Sequence, residues 1–399
     1  MSVSRPNLRR AGIAQLRTQA PVRSTNVLGD PLLAAVLVGM VPFGLLMVGS
    51  ASFVDAITTH GGQAWYYAQR QLVGCVFGAG IFAFGLRTPY RIWHRSALGL
   101  MLVVLGLLAL VLVLPITITQ VNGARSWFRF GTFSFQPAEL AKFAIIVYFA
   151  RWLSRRAGQV ADAGAGLVPY ALMMGIMCGL VMLQPDLGTT TVLVLIGGIM
   201  YIAAGARLLH IALALVISST AFWAMVRLAP YRADRIAAWL DPFSHYDGAG
   251  YQPVHALSAL ARGGIFGVGL GQSREKFLWL PQAHTDTILA IIGEEFGFLG
   301  TLAVILCFAI IAWRGIRIAL RAPDSFGRLL AVGITAWLVG QAIINMSVVV
   351  GLIPFTGLTL PFISYGSSSI MTCLLAGGVL LNIARASDSP HASADTRSE

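Results

Sequence analysis

The sequence predicts an all-α protein that crosses a membrane many times, and three observations carry that prediction. Of its 399 residues, 57% are hydrophobic and only 11% charged, where soluble domains carry about a quarter charged. Apolar runs long enough for the roughly 30 Å of a bilayer's hydrocarbon recur from Pro31 to Arg385. These runs are continuous rather than alternating, which disfavours a β-barrel. The mean hydropathy of +0.75 agrees. A soluble globular domain is excluded. The net charge of +12 therefore reads as arginine in short membrane loops, and no nucleic-acid partner is expected.

Residues 1–30 are Arg-rich and poor in large apolar side chains, and read as a cytoplasmic tail. The first apolar run follows them at spanning length, so no cleaved signal peptide is expected. Spans are predicted near 32–53, 68–86, 96–115, 137–153, 167–184, 188–205, 208–228, 287–313, 327–350 and 366–384, about ten transmembrane helices within a 31–385 membrane domain. The connection 229–286, between the seventh and eighth helices, is one large extracytoplasmic loop, and 386–399 form a second cytoplasmic tail. Orientation follows the positive-inside rule. Arg87, Arg91 and Arg95, then Arg151, Arg155 and Arg156, then Arg314, Arg317, Arg321 and Arg328 fall in connections on one side. Both termini are expected inside. The four cysteines, Cys75, Cys178, Cys307 and Cys373, lie singly in apolar segments and read as structural thiols.

Ionisable residues at membrane depth are functional candidates. Gln136-Pro137-Ala138-Glu139 opens the fourth span, where Glu139 can satisfy free backbone donors or pair with Lys142 three residues on. That pair reads equally as structural or as lining a cavity. Gln184-Pro185-Asp186-Leu187-Gly188 makes a turn in which Asp186 can cap the next helix. In the long loop, Val254, Leu257, Leu260 and Ala261 share one helical face, which suits a helix lying at the membrane surface. The glycines from Gly263 to Gly271 lack the strand–helix context and lysine of a phosphate loop, so close backbone approach or mobility is the better reading. Leu280-Pro281-Gln282-Ala283-His284-Thr285-Asp286 then enters the eighth span, with Thr285 as its expected cap. Asp286 and Glu294 lie eight residues apart, about 12 Å along a helix. That exceeds a glycosidase's carboxyl separation.

Taken together, Asn122-Gly123-Ala124-Arg125-Ser126-Trp127, Gln136-Pro137-Ala138-Glu139, Gln184-Pro185-Asp186-Leu187-Gly188-Thr189, Gly250-Tyr251-Gln252, His284-Thr285-Asp286, Gly293-Glu294-Glu295 and Pro361-Phe362-Ile363-Ser364-Tyr365-Gly366 resemble the SEDS (shape, elongation, division and sporulation) family, the FtsW/RodA/SpoVE group. The match covers about residues 31–385. Gly357-Leu358-Thr359-Leu360-Pro361 is more similar to division members, the FtsW type, than to elongation members, the RodA type. Two departures stand out. The usual Phe-Ile-Phe after His-Thr-Asp reads Thr287-Ile288-Leu289, and Ser367 replaces a glycine after Gly366.

The resemblance implies ten transmembrane helices and a peptidoglycan glycosyltransferase that polymerises lipid II outside the bacterial cytoplasmic membrane, releasing undecaprenyl diphosphate. It implies a class B penicillin-binding protein, the FtsI type, and other divisome proteins as partners at the septum. Asp286 would be the general base. Arg125, Trp127, Gln136, Glu139, Lys142, Asp186, His284, Thr285, Glu294 and Ser364 would contact substrate, with Arg125 and Lys142 balancing the diphosphate. No cofactor is fixed by the sequence and no metal ligands are assigned; a divalent cation, Mg2+ or Mn2+, is the one candidate. The competing readings are a lipid II flippase, with Glu139 and Lys142 lining its path, a RodA-type elongation polymerase, and a scaffold that only recruits the crosslinking enzyme. Asp286→Asn is expected to abolish polymerisation, and Glu275→Gln to spare it.

Overall fold

A computed structural model describes residues 28–121, 124–130, 133–227 and 230–387. Apart from 28–30 and 386–387, the expected tails lie outside the described residues, as do Asn122 and Gly123. The chain runs α1 (Pro31–Thr59), α2 (Tyr66–Arg87), α3 (Arg91–Val113) and a single turn α4 (Ile116–Thr119). Two small hairpins follow, β1 (Gln120–Val121) with β2 (Ala124–Arg125), and β3 (Phe128–Phe130) with β4 (Phe133–Phe135). Next come α5 (Pro137–Ser154), a π-helical turn at Ala163–Leu167, α6 (Val168–Met182), α7 (Leu187–Ala203) and α8 (Leu208–Arg227). The long loop holds α9 (Pro230–Leu240) and α10 (Tyr251–Gly263), before α11 (Ile288–Arg321), α12 (Ser325–Val349) and α13 (Ser367–Ser387).

Each predicted span contains a helix. Among the described residues, seven helices are long and apolar enough to cross a membrane, while α7 and α8 are shorter apolar helices. Helix α5 has spanning length but carries Glu139, Lys142 and Arg151. The helix starts follow from sequence. Asp30 accepts from the Leu33 amide at 3.0 Å with Pro31 in the first helical position, and Asp324 accepts from the Gly327 amide at 2.7 Å. Helix α13 is the most enclosed element, buried almost throughout from Ser368 to Ala384, and α2 packs along it. All four cysteines are free thiols.

The connection after α3 contains hairpins that the sequence did not indicate. The long loop carries the helix expected over 253–262, as α10, and a further helix, α9. On α10, His255, Ala256, Ala259 and Gly263 are buried, while Val254, Leu257 and Leu260 are half-buried and Ala261 is exposed. The helix packs against α11, with Leu260 over Gly293, while Leu257 lies beside Gly351, just after α12. Small residues let α10 and α11 close up.

Helix α11 is broken at Gly297, whose backbone (φ 67°, ψ −162°) only glycine adopts readily. A break at membrane depth frees polar backbone groups that lipid cannot satisfy. The glycine run of the preceding loop satisfies them. Val268 and Gly269 amides donate to the Glu294 and Glu295 carbonyls at 3.0 Å each, and Phe298 and Leu299 amides donate to Gly264 and Ile265 carbonyls at 2.8 and 3.2 Å. The close-approach reading of these glycines holds. A Cβ on Gly267 would overlap the Glu295 carbonyl, and one on Gly263 that of Gly293. Gly263→Ala should therefore lower the thermal midpoint in detergent by the equivalent of about 1–3 kcal/mol. Gly106→Ala on α3, where an added Cβ meets nothing within 4 Å, should leave it unchanged.

Candidate active site

Asp286 sits in the loop just before α11, buried to 9% exposure. Its main chain is fixed residue by residue. The His284 carbonyl accepts from the Tyr365 amide at 2.9 Å, the Thr285 carbonyl from Ser364 Oγ at 2.6 Å, and the Asp286 carbonyl from Asn345 Nδ2 at 2.8 Å. The donors are themselves held. Ser364 Oγ accepts from the Leu360 amide at 2.8 Å, and Asn345 Nδ2 also donates to the Leu358 carbonyl at 2.7 Å. Gln71 of α2 donates to the Ser364 carbonyl at 3.2 Å and accepts from the Gly366 amide at 3.0 Å. The loops 280–287 and 356–366 thus form one unit. Leu278, Gln282 and Phe362 hold left-handed backbone (φ 67°, 54° and 66°), a strained conformation for non-glycine residues that tertiary contacts must enforce.

Thr285 does not cap α11. Its hydroxyl lies 3.1 Å from Asp286 Oδ1 and 2.8 Å from Gln282 Oε1, and the flanking residue at the helix start is Thr287. The Thr287 hydroxyl donates back to the Pro281 and Gln282 carbonyls at 3.1 and 2.9 Å, so this departure from the family pattern serves to fold the loop. The His284 ring packs on Tyr67 at 4.3 Å and Tyr365 at 5.5 Å between centroids.

Burial drives the Asp286 carboxyl up to about 6, against the Thr285 hydroxyl, the Arg235 charge and the Gln252 amide, which favour its ionised form. At neutral pH about nine-tenths is ionised. Burial lowers His284 to about 4, so its ring is neutral.

A second buried network lies apart from the carboxylate but beneath the same loops. Asp186 caps α7, accepting from the Thr189 amide at 2.8 Å and the Thr189 hydroxyl at 2.7 Å, with Gln136 Nε2 at 3.3 Å. Lys142, fully buried, donates to Glu139 Oε1 at 2.8 Å and Gln341 Oε1 at 2.9 Å and faces the Trp337 ring. Gln341 in turn donates to the Thr359 carbonyl at 2.8 Å. Lys142 thus braces α5 against α12, its ammonium held by acceptors from both helices.

Glu294 is also removed from the carboxylate's surroundings. It is fully buried and accepts from Ser273 Oγ at 2.5 Å and from the Arg274 and Glu275 amides at 3.0 and 3.3 Å, tying down the loop before Asp286. Arg125 lies in β2 with a buried Nε that meets no acceptor among the described residues, and the Trp127 amide donates to the Thr119 carbonyl at 3.3 Å. Glu275 is no neutral bystander. It accepts from His255 Nδ1 at 2.7 Å and Arg262 at 2.8 Å and clamps α10 to the loop. Among the described residues no group of three or more His, Cys, Asp or Glu is placed to hold a metal ion.

Sequence reasoning missed Asn345, Gln71, Tyr67 and Arg235. Gln71 and Asn345 carried a usable signal, being uncharged polar residues inside apolar runs.

Residues 30–389 match the FtsW/RodA/SpoVE profile, described as cell cycle protein. The chain belongs to that family. It is 42% identical to stage V sporulation protein E of Bacillus subtilis over 89% of this chain and 97% of that one. It is 40% identical to the probable peptidoglycan glycosyltransferase FtsW of Trichlorobacter lovleyi, over 89% and 92%. Its fold matches a chain from a peptidoglycan synthase complex that coordinates polymerization and crosslinking (TM-score 0.74, 28% identity, covering 90% and 98%). It also matches the rod shape determining protein RodA of Thermus thermophilus (TM-score 0.66, 27% identity, 89% and 96%).

Removing one member of the Lys142–Glu139 pair should show that it braces the fold. Lys142→Met alone leaves a buried carboxylate and should cost about 3–5 kcal/mol. Lys142→Met with Glu139→Gln should recover most of the thermal midpoint.

Proposed function

We propose that this family member polymerises lipid II into glycan strands at the outer face of the bacterial cytoplasmic membrane. Peptidoglycan glycosyltransferase activity follows from kinship with the FtsW relatives. The finer assignments are ours. The single observation that supports them most is a buried carboxylate, Asp286, on a loop whose carbonyls at His284, Thr285 and Asp286 are each bound, with a pKa of about 6.

The 4-hydroxyl of the acceptor's GlcNAc attacks C1 of the MurNAc at the lipid-linked end of the strand. As the O4–C1 bond forms, the C1–O bond to phosphate breaks, and configuration at C1 inverts. The hydroxyl proton passes to Asp286, and undecaprenyl diphosphate leaves with the bonding pair. A sugar hydroxyl is a poor nucleophile, so a carboxylate raised to about 6 takes its proton better than an ordinary aspartate would. The diphosphate is already a stable anion, so one carboxylate suffices. We assign Arg125 and Arg235 to its charge. A Mg2+ or Mn2+ ion would be held mainly by the diphosphate oxygens. His284 and Ser364 hold the loop, and Thr285 orients the carboxylate.

The partner we assign is a class B penicillin-binding protein, at the septum, with both termini of this chain cytoplasmic. The flippase alternative loses its support, because Glu139 and Lys142 bind each other with almost no exposed surface.

Purified Asp286→Asn should insert normally yet form no glycan from lipid II, while Asp247→Asn, on the exposed loop, keeps full activity. Polymer from the Asp286→Asn chain on a gel would reject the assignment. Because the base works ionised, kcat/KM should rise through about pH 6 and level off above it. Arg235 lowers the Asp286 pKa, so Arg235→Gln should move that acid limb to higher pH.

A further inference from the structure

We propose that the apolar groove between α1, α2 and the loop before α11 holds the isoprenoid chain of the acceptor substrate. This rests on the glycosyl-transfer reading. The groove is a cavity of about 880 Å3 whose walls include Leu46 and Phe53 of α1, Trp65 and Leu72 of α2, and Leu270 and Phe277 of the loop. Each of these six is more than a third exposed. In a spanning protein they open the groove sideways to lipid, where a hydrocarbon chain can enter without crossing water.

The groove has one cation in its lining. Lys276 is almost fully buried, and its ammonium donates to Ser50 Oγ at 3.1 Å and Glu295 Oε1 at 3.0 Å. An ammonium carries three donors, which leaves one for an anionic oxygen. An apolar trough with one such donor in its wall fits a phosphate-linked hydrocarbon chain.

Two features favour a substrate chain over a bystander phospholipid. Helix α2 serves both places: Trp65, Ala68, Gln69 and Leu72 line the groove, while Tyr67 packs on His284 and Gln71 binds the Ser364 carbonyl. The groove therefore runs along the back of the helix that supports the reacting loop. Chemistry then selects the acceptor. A donor's phosphate oxygen is bonded to the carbon under attack, so its chain begins beside the base. An acceptor's chain begins a full disaccharide away from its attacking hydroxyl. None of His284, Thr285 and Asp286 lines the groove, which suits the acceptor.

The test is single glycosyl transfer by the full chain in detergent micelles. The donor is lipid II capped at its 4-hydroxyl, and the acceptor carries either the undecaprenyl chain or a chain of a few isoprene units. Leu72→Trp and Leu46→Trp each narrow the groove from one wall. Each should raise the half-saturating concentration of the long-chain acceptor about tenfold, what losing roughly two buried methylenes costs. The short-chain acceptor should be unaffected. Val76→Trp, on α2 but outside the groove, should behave as wild type with both. Equal losses with both acceptors, no loss with either, or a loss that follows the donor's chain length would overturn the proposal. A wild-type chain inactive on every lipid II would instead remove the glycosyl-transfer reading, and this inference with it.

Discussion

Backbone polar groups at membrane depth must be satisfied within the protein, and this constraint shapes everything around the candidate site. A straight helix meets it automatically. The broken α11 and the loops at 263–287 and 356–366 do not, and each borrows partners from another. Loop amides at Val268 and Gly269 complete the carbonyls that the break frees. Side chains of Ser364 and Asn345 complete those of Thr285 and Asp286. Irregular backbone is tolerated here because two loops and a kink satisfy one another's hydrogen bonding.

The same logic explains why buried charge sits where it does. Lys142, Glu139 and Gln341 lie below loop 356–366, and Gln341 reaches its Thr359 carbonyl. Glu294 does the equivalent for loop 273–275 through three hydrogen bonds. Breaking such a contact leaves a desolvated group without a partner, which costs more than the contact gains. These residues stiffen the loops around Asp286, the proposed base.

The apolar runs made the helices legible, since a run of spanning length admits few other structures. Asp186 was legible as a cap because an Asp-Leu-Gly-Thr turn leaves its carboxylate little else to do. What the sequence could not show were tertiary partners. Only the fold brings Gln341, 199 positions away, onto Lys142. Helical spacing put Glu294 about 12 Å from Asp286, but it says nothing of the loop 273–275 that folds back onto Glu294. His255 and Arg262 come to Glu275 from another element, a contact that sequence spacing does not reveal. Nor does it reveal that small residues of α10 are the ones packed most closely on α11.

A single carboxylate with a raised pKa imposes a particular division of labour. In the mechanism proposed above, burial would supply the basicity that attack by a sugar hydroxyl requires, but it also threatens to keep Asp286 protonated. The Arg235 charge and the Thr285 and Gln252 contacts oppose that rise. The result is a carboxylate mostly ionised near neutrality yet more basic than one in water. The balance depends on α9 and α10 remaining over the loop, since they carry Arg235 and Gln252. Helix α10 is held by the His255–Glu275–Arg262 cluster and by its seat on α11. Any movement of these two helices would therefore change the proton affinity of Asp286, the proposed base, as well as access to it, which would couple the loop's position to the proposed chemistry without any direct contact between that cluster and the carboxylate.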